Sequence, residues 1–255
     1  MAADNLRERI SRRKMLRAIK ESLEQLKSPY LSGAGLRHLG IQQLTMSIST
    51  EKEPLFFRPY SAPIQPPEID TLTNYYPEFD ESPFRNAEYL GWYLNQYFQN
   101  CSLPKKDLNP PGSFYVDFGS FKFGKLIDVS KEPRWQVQAA WNVAHASVPH
   151  MKVLMYSGII GNEDELFRGE LLAIIDVMCR RLNTKSLRPH IIAPVLLFSV
   201  VGMHHIRVVE AYSNGEGLVV RATRLYDLKH RDHKLLIQLS KWWLSHASDR
   251  STQEY

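Results

Sequence analysis

Long apolar runs, cysteines and phosphate-cradling glycine motifs are scarce in this chain of 255 residues, and each shortage removes a class of function. No window approaches the ~18 consecutive apolar residues of a membrane helix. The best stretch, Ile191 to Val201, is about half a span and contains Pro194. The first residues, Met1-Ala2-Ala3-Asp4-Asn5-Leu6-Arg7, lack the apolar core of a secretory signal. The expectation is a soluble protein of the cytosol or nucleus. Cys101 and Cys179, the only cysteines, are far apart and are expected as two unpaired buried thiols. There is no Cys-x-x-Cys, Gly-x-Gly-x-x-Gly, Walker A loop, His-Glu-x-x-His or Gly-x-Ser-x-Gly. The sequence therefore calls for no cofactor and no metal.

What is present is an ordinary globular composition, 44% apolar and 23% charged. A chain this long buries roughly 70–75% of its unfolded surface and needs no covalent staple. The net charge of +5 is local. Arg7, Arg9, Arg12, Arg13, Lys14, Arg17 and Lys20 all lie in the first twenty residues. Within residues 1–28 a helix is predicted over about 4–27, its apolar face formed by Leu6, Ile10, Leu16, Ile19, Leu23 and Leu26 and ended by Ser28-Pro29. The arginines are expected on the opposite, solvated face. Three readings of this helix stand open: docked on the body, a helix for a protein partner or anionic surface, or a nucleic-acid arm.

Residues 51–83 carry Pro54, Pro59, Pro63, Pro66, Pro67, Pro77 and Pro83, too many for helix or central strand. Interleaved Phe56, Phe57, Tyr60, Tyr75, Tyr76 and Phe79 predict an extended segment that wraps the body, with an SH3-type ligand as the alternative. The remainder, 84–247, reads as an α+β body with a C-terminal unit over 162–247 and a tail at 248–255. Ser82-Pro83 is expected to start a helix with Phe84, Ala87, Leu90, Leu94, Tyr97, Phe98 and Cys101 on one face. Its further rings, Tyr89, Trp92 and Tyr93, allow either core packing or a stacking platform. After a turn-rich Pro104 to Gly112, strands are expected at Phe114–Phe118 and Phe121–Ile127. Glu132-Pro133 is read as opening a helix that turns Trp135, Ala139, Ala140, Trp141 and Ala144 inward, with a strand over Val153–Ile160.

Asn162 with Glu165 is read as the N-terminal cap of a helix carrying Leu166, Leu172, Ile175, Met178 and Leu182. Pro189–Val201 reads as a buried strand. His205–Tyr212 and Leu218–Leu225 read as a hairpin about Asn214-Gly215-Glu216-Gly217, and Asp232 caps a final helix. The fold class predicted is thus α+β, a small mixed or antiparallel sheet flanked by helices.

Histidines at 38, 145, 150, 190, 204, 205, 230, 233 and 246 are read as surface or structural groups. His204 and His205 are expected at a turn before a strand, and because adjacent histidines in a strand point to opposite faces, the pair is a poor arrangement for sharing one metal. The order of the last third, Glu170 on a helix followed by three strands, resembles the restriction-endonuclease-like core. That resemblance implies a helix glutamate and strand carboxylates around Mg²⁺, with a lysine positioning water. Here the first strand has no carboxylate, and Glu210-Ala211-Tyr212 has tyrosine where the lysine belongs. It implies a degenerate, nucleic-acid-binding relative. Glu170 and Glu210 are the acids to inspect, with His190 and Arg207 as their nearest partners.

The stretches Gly169-Glu170-Leu171-Leu172 to Arg181, Arg188-Pro189-His190-Ile191-Ile192-Ala193-Pro194-Val195-Leu196-Leu197-Phe198-Ser199, Arg207-Val208 and Leu225-Tyr226-Asp227 are similar to a group of uncharacterised filamentous-fungal proteins, some encoded within specialised-metabolite gene clusters. That similarity implies a fungal source and a protein of unassigned biochemical role; together with the missing catalytic motifs it leads to the expectation of a non-catalytic accessory protein. Two alternatives stay open: the degenerate nuclease module, and an enzyme acting on a small apolar metabolite in a pocket lined by Trp92, Trp135 or Trp141.

Overall fold

The computed structural model describes residues 2–49, 55–67, 75–101, 114–116, 126–143 and 147–254. The chain is α+β: among the described residues a nine-stranded mixed sheet carries helices on both faces, with two further two-stranded sheets. The helices among the described residues are α1 (Ala2–Gln25), α2 (Gly33–His38), α3 (Pro83–Asn100), α4 (Arg168–Asn183) and α5 (His233–Trp243). The longer strands are β2 (Ile41–Thr45), β6 (Trp135–Asn142), β7 (Met151–Ser157), β9 (Val195–Val201), β10 (His205–Ser213) and β11 (Leu218–Ala222). The short ones are β1 (Tyr30–Ser32), β3 (Phe57–Arg58), β4 (Phe114–Tyr115), β5 (Ile127–Asp128), β8 (Glu165–Phe167), β12 (Tyr226–Asp227) and β13 (His246–Ala247).

The main sheet runs β2-β11-β10-β9-β7-β6-β4, with β12 added to β10 and β5 to β6; the two-stranded sheets are β1–β8 and β3–β13. Its centre is the parallel pair β7–β9, both wholly buried and rich in Val, Leu and Met, as strands covered on two faces must be. One face packs under α1, α2 and α4 through Leu16, Leu36, Ile175 and Val209. The other packs under α3 and α5 through Leu90, Leu94, Phe198, Leu236 and Trp243. The hairpin β10–β11 and the Asp232 cap, whose carboxylate accepts from Leu235 N–H at 3.0 Å, form as the local sequence requires.

Three expectations are corrected. The helix expected after Glu132-Pro133 is strand β6. Trp135, Val137 and Ala140 face one cluster, Ala139 and Trp141 the other. A register shift between Val137 and Ala139 inserts Gln138 as a bulge, and the break in period two imitates helical spacing. The helix expected from Asn162 starts later, at Arg168. Asn162 and Glu165 bond to each other in a turn, and Glu165–Phe167 pairs with β1 instead. The role of the early glutamate passes to Glu170, which accepts from Phe167 N–H at 2.8 Å. In α1 the inward stripe is Arg9, Arg12, Leu16, Ile19 and Leu23, while Leu6 and Ile10 are exposed.

Those arginines act as caps. Arg9 donates to the carbonyls of Leu182, Thr184 and Leu187 and to His190 O, at and beyond the C-terminal end of α4. Arg12 donates to Ser213 O at 2.6 Å. The same device recurs elsewhere: Arg168 donates to Leu26 O beyond α1, and Lys152 donates to Trp243 O at the end of α5. A cation at a helix C-terminus satisfies orphan carbonyls and opposes the negative end of the dipole. The basic helix is therefore docked, and Lys20 adds a 2.6 Å ion pair to Asp176 of α4.

The proline-rich segment is held by its rings. Phe56, Phe57, Tyr60 and Ile64 are buried, β3 pairs with β13, and Tyr60 N–H donates to Lys241 O. Pro54, the turn-rich 104–112, most of the strands expected at 114–118 and 121–127, Ala144 and His145 lie outside the described residues. Both cysteines are free, and burial pushes each thiol upward, Cys179 to about 11. Among the described residues no helix is long and apolar enough to cross a membrane.

Candidate functional site

Glu170 lies on the first turn of α4 and is fully buried. Arg207 of β10 grips it bidentately, Nε to Oε1 at 2.8 Å and Nη2 to Oε2 at 2.6 Å, and also donates to Glu165 O. Glu210, three residues further along β10, projects to the opposite face by strand alternation. There it accepts from Arg221 and from Phe56 N–H at 2.8 Å. Burial raises its carboxyl above the ordinary range, against the opposing pull of those partners. The sheet therefore separates the two acids, and each is neutralised by its own arginine. His190 joins neither: its Nδ1 lies 2.6 Å from Thr252 Oγ1. Of the four residues singled out in the sequence, the fold brings together only Glu170 and Arg207. A buried, doubly bonded guanidinium–carboxylate pair is accounted for by its structural role.

Lys152 shares the face of Glu210, because Lys152 pairs with Leu196 and Leu196 with Glu210 across the sheet. It is fully buried, and desolvation pulls its ammonium down to about 7. Its nitrogen is occupied by the carbonyls of Trp243 and Ser245. The adjacent His150 packs against the rings of Phe56 and Phe57, and burial pulls it down to about 3.

The side chains left uncommitted lie on α3. Its aromatic load divides: Tyr93, Tyr97 and Phe98 are core, whereas Tyr89 is 50% and Trp92 60% exposed. Residues 88, 89, 92, 93 and 96 share one helical face. Across from them runs Tyr75-Tyr76-Pro77-Glu78, and the two walls enclose a groove of about 720 Å³. Tyr76 anchors the outer wall, with its ring edge-on to Tyr93 at 4.9 Å and its hydroxyl donating to Leu228 O. Burial raises both phenols. The two carboxylates of the groove are Glu78 and Glu88, the latter accepting from Tyr156 OH at 3.1 Å. No lysine or arginine is among the described lining residues, although the chain as a whole is basic.

Of the three tryptophans expected around a pocket, only Trp92 borders this groove. Trp135 is buried in the core, and Trp141 packs edge-on to Trp243. The sequence suggested a stacking platform on α3 but not its second wall. Tyr-Tyr-Pro-Glu was the available signal, masked by its reading as mere wrapping. The expectation for His204 and His205 also changes. His204 precedes β10 in a turn, so strand alternation does not apply, and the two rings lie side by side with centroids 4.5 Å apart.

A groove with a flat exposed indole, four phenols and two carboxylates can stack planar rings and favours positive charge, because the π-face and the carboxylate both favour a cation; Arg231 already lies 5.9 Å from the Tyr93 ring. Searches of family models, curated proteins and solved structures find no match to the chain.

Proposed function

We propose that this chain is a non-catalytic accessory protein that holds a small molecule with a flat apolar ring system and a positively charged nitrogen. The observation that carries this reading is the α3 groove, where Trp92, Tyr89 and Tyr75 stand exposed beside Glu78 and Glu88 with no basic side chain among the described lining. Accessory rather than catalytic is supported by the buried acids, since Glu170 and Glu210 are each bound by an arginine and face opposite sides of the sheet. A place beside a fungal specialised-metabolite pathway is part of the same proposal and rests on the sequence similarity of the last third.

Tryptophan emission of the full chain, titrated with a planar quaternary-ammonium dye and with its carboxylate analogue, tests it. Saturable quenching by the cation alone, weakened at least tenfold in Trp92→Ala, is expected. Equal binding of the anion, or quenching unchanged in the variant, overturns the groove. Conversion of a bound ligand to a new mass would replace the accessory reading with the enzymatic one.

The degenerate nuclease-like module remains the second reading, favoured by the succession of α4 and β9 to β11. Salt-dependent binding of a fluorescent oligonucleotide would support it.

A further inference from the structure

Beyond the groove, and among the described residues, one cluster of two histidines and an aspartate has the spacing to hold a metal ion. Strand β12 adds to the start of β10 so that His205 and Asp227 are cross-strand partners. The turn before β10 brings His204 to the same point. That turn depends on Gly202, whose φ of 57° lies in the left-handed region and whose Cα leaves no room for a side chain. An added Cβ would sit 2.8 Å from Ile159 O. Leu228 N–H donates to His204 O at 2.8 Å, extending the β10–β12 pairing by one step.

His204 Nδ1 comes to rest 2.7 Å from Asp227 Oδ1. Lys229 N–H fixes that carboxylate at 2.7 Å, and the Phe79 ring covers His204 at 5.7 Å. One nitrogen from each imidazole and a carboxylate oxygen of Asp227 all lie within 4.8 Å of one another.

We propose that His204, His205 and Asp227 form a binding site for a first-row divalent transition-metal ion of the zinc type. The donor set decides the class. Two imidazoles and one carboxylate suit zinc, cobalt or nickel, whereas magnesium and calcium take oxygen donors. A tetrahedral ion with bonds of about 2.0–2.2 Å needs donors roughly 3.5 Å apart. His204 Nδ1 and Asp227 Oδ1, 2.7 Å apart, must separate by about 1 Å and the wider pairs must close by about the same amount, within the reach of side-chain rotation, since Asp227 is well exposed and both rings are half-buried.

Three protein ligands leave a fourth position open to water. The β10–β12 pairing and the Gly202 turn place the ligands independently of the ion, so binding requires no refolding. The Met203 side chain before the two histidines lies with its Sδ 3.9 Å from Asn86 Nδ2, which also donates to Asp80 O, and the Phe79 ring that covers His204 lies 6.2 Å from the Tyr76 ring of the groove wall. The metal site thus lies behind the groove, one aromatic ring removed.

The test is calorimetric titration of the tag-free full chain with zinc chloride, repeated with cobalt(II) and read by visible absorption. One zinc per chain and cobalt d–d bands are expected, with magnesium failing to compete. Asp227→Asn should weaken zinc at least tenfold, and His205→Gln should remove the cobalt bands. Thermal melting confirms that both variants fold. On the unaltered chain, paramagnetic cobalt should broaden the ring-proton NMR signals of two histidines. No zinc uptake, binding equal in the variants, competition by magnesium, or broadening of other histidines alone overturns the site.

Discussion

Helices α1 and α3 both carry loads that an amphipathic pattern does not anticipate, and the fold treats them in opposite ways. The arginines of α1 turn inward, where Arg9 and Arg12 meet carbonyls left over at the ends of α4 and β10. The rings of α3 turn partly outward, where Tyr89 is 50% and Trp92 60% exposed. A buried cation with four carbonyl partners is explained by structure alone. An exposed indole beside two carboxylates is not, and that contrast locates the groove as the place to look for a ligand.

The comparison can be broken most severely at the charges that belong to structure. Arg207→Ala strands Glu170 in the interior without its partner and should cost about 3–5 kcal/mol by denaturant unfolding. Replacing both by apolar residues of similar volume should recover most of that loss. Acid provides the next test. His150 titrates near 3 when folded and near 6.5 when unfolded, so the unfolded chain binds the extra proton between those values. Stability is fully present above about pH 6.5 and falls toward pH 3 with a slope of roughly 1.4 kcal/mol per pH unit from this group. His150→Gln should flatten that slope in a series of melts from pH 7 to 4. Lys152 acts in the alkaline window. Its folded value of about 7 lies below the unfolded 10.5, so its contribution makes stability rise with pH between the two.

Arg9→Met should cost about 1–3 kcal/mol, through carbonyls that lose their donor, while Arg7→Ala on the exposed side stays within about 0.5 kcal/mol. The smallest stability effect is expected at Trp92→Ala, again within about 0.5 kcal/mol, with the loss appearing in ligand binding instead. A Trp92 variant that unfolded the protein would erase the distinction drawn between the two helices.

What the sequence made legible was local. Asp232 caps the helix that follows it, and Asn214-Gly215 turns β10 into β11, because each decision is made within a few residues. The α+β class followed from such units. Strand β6 was obscured by the bulge at Gln138, which hides its alternation. The start of α4 was obscured because Asn162 and Glu165 suit a turn as well as a cap. The partners of Arg9 lie more than 170 residues away, so no periodicity could announce them. The same distance effect hid the candidate sites. Tyr75 and Trp92 are separated by a segment boundary, and His204 meets Asp227 only through the pairing of β12 with β10.

The amide of Phe56 carries a consequence of its own. It supplies one of the few donors to the carboxylate of Glu210 at the middle of the sheet, yet it belongs to the proline-rich strap rather than to the strands around it. The strap behaves as an internal ligand: a sheet deprived of it would hold an acid short of one donor. Cleaved near residue 70, the two pieces should therefore remain associated as a noncovalent complex, with the shorter one acting as the missing plug of the longer.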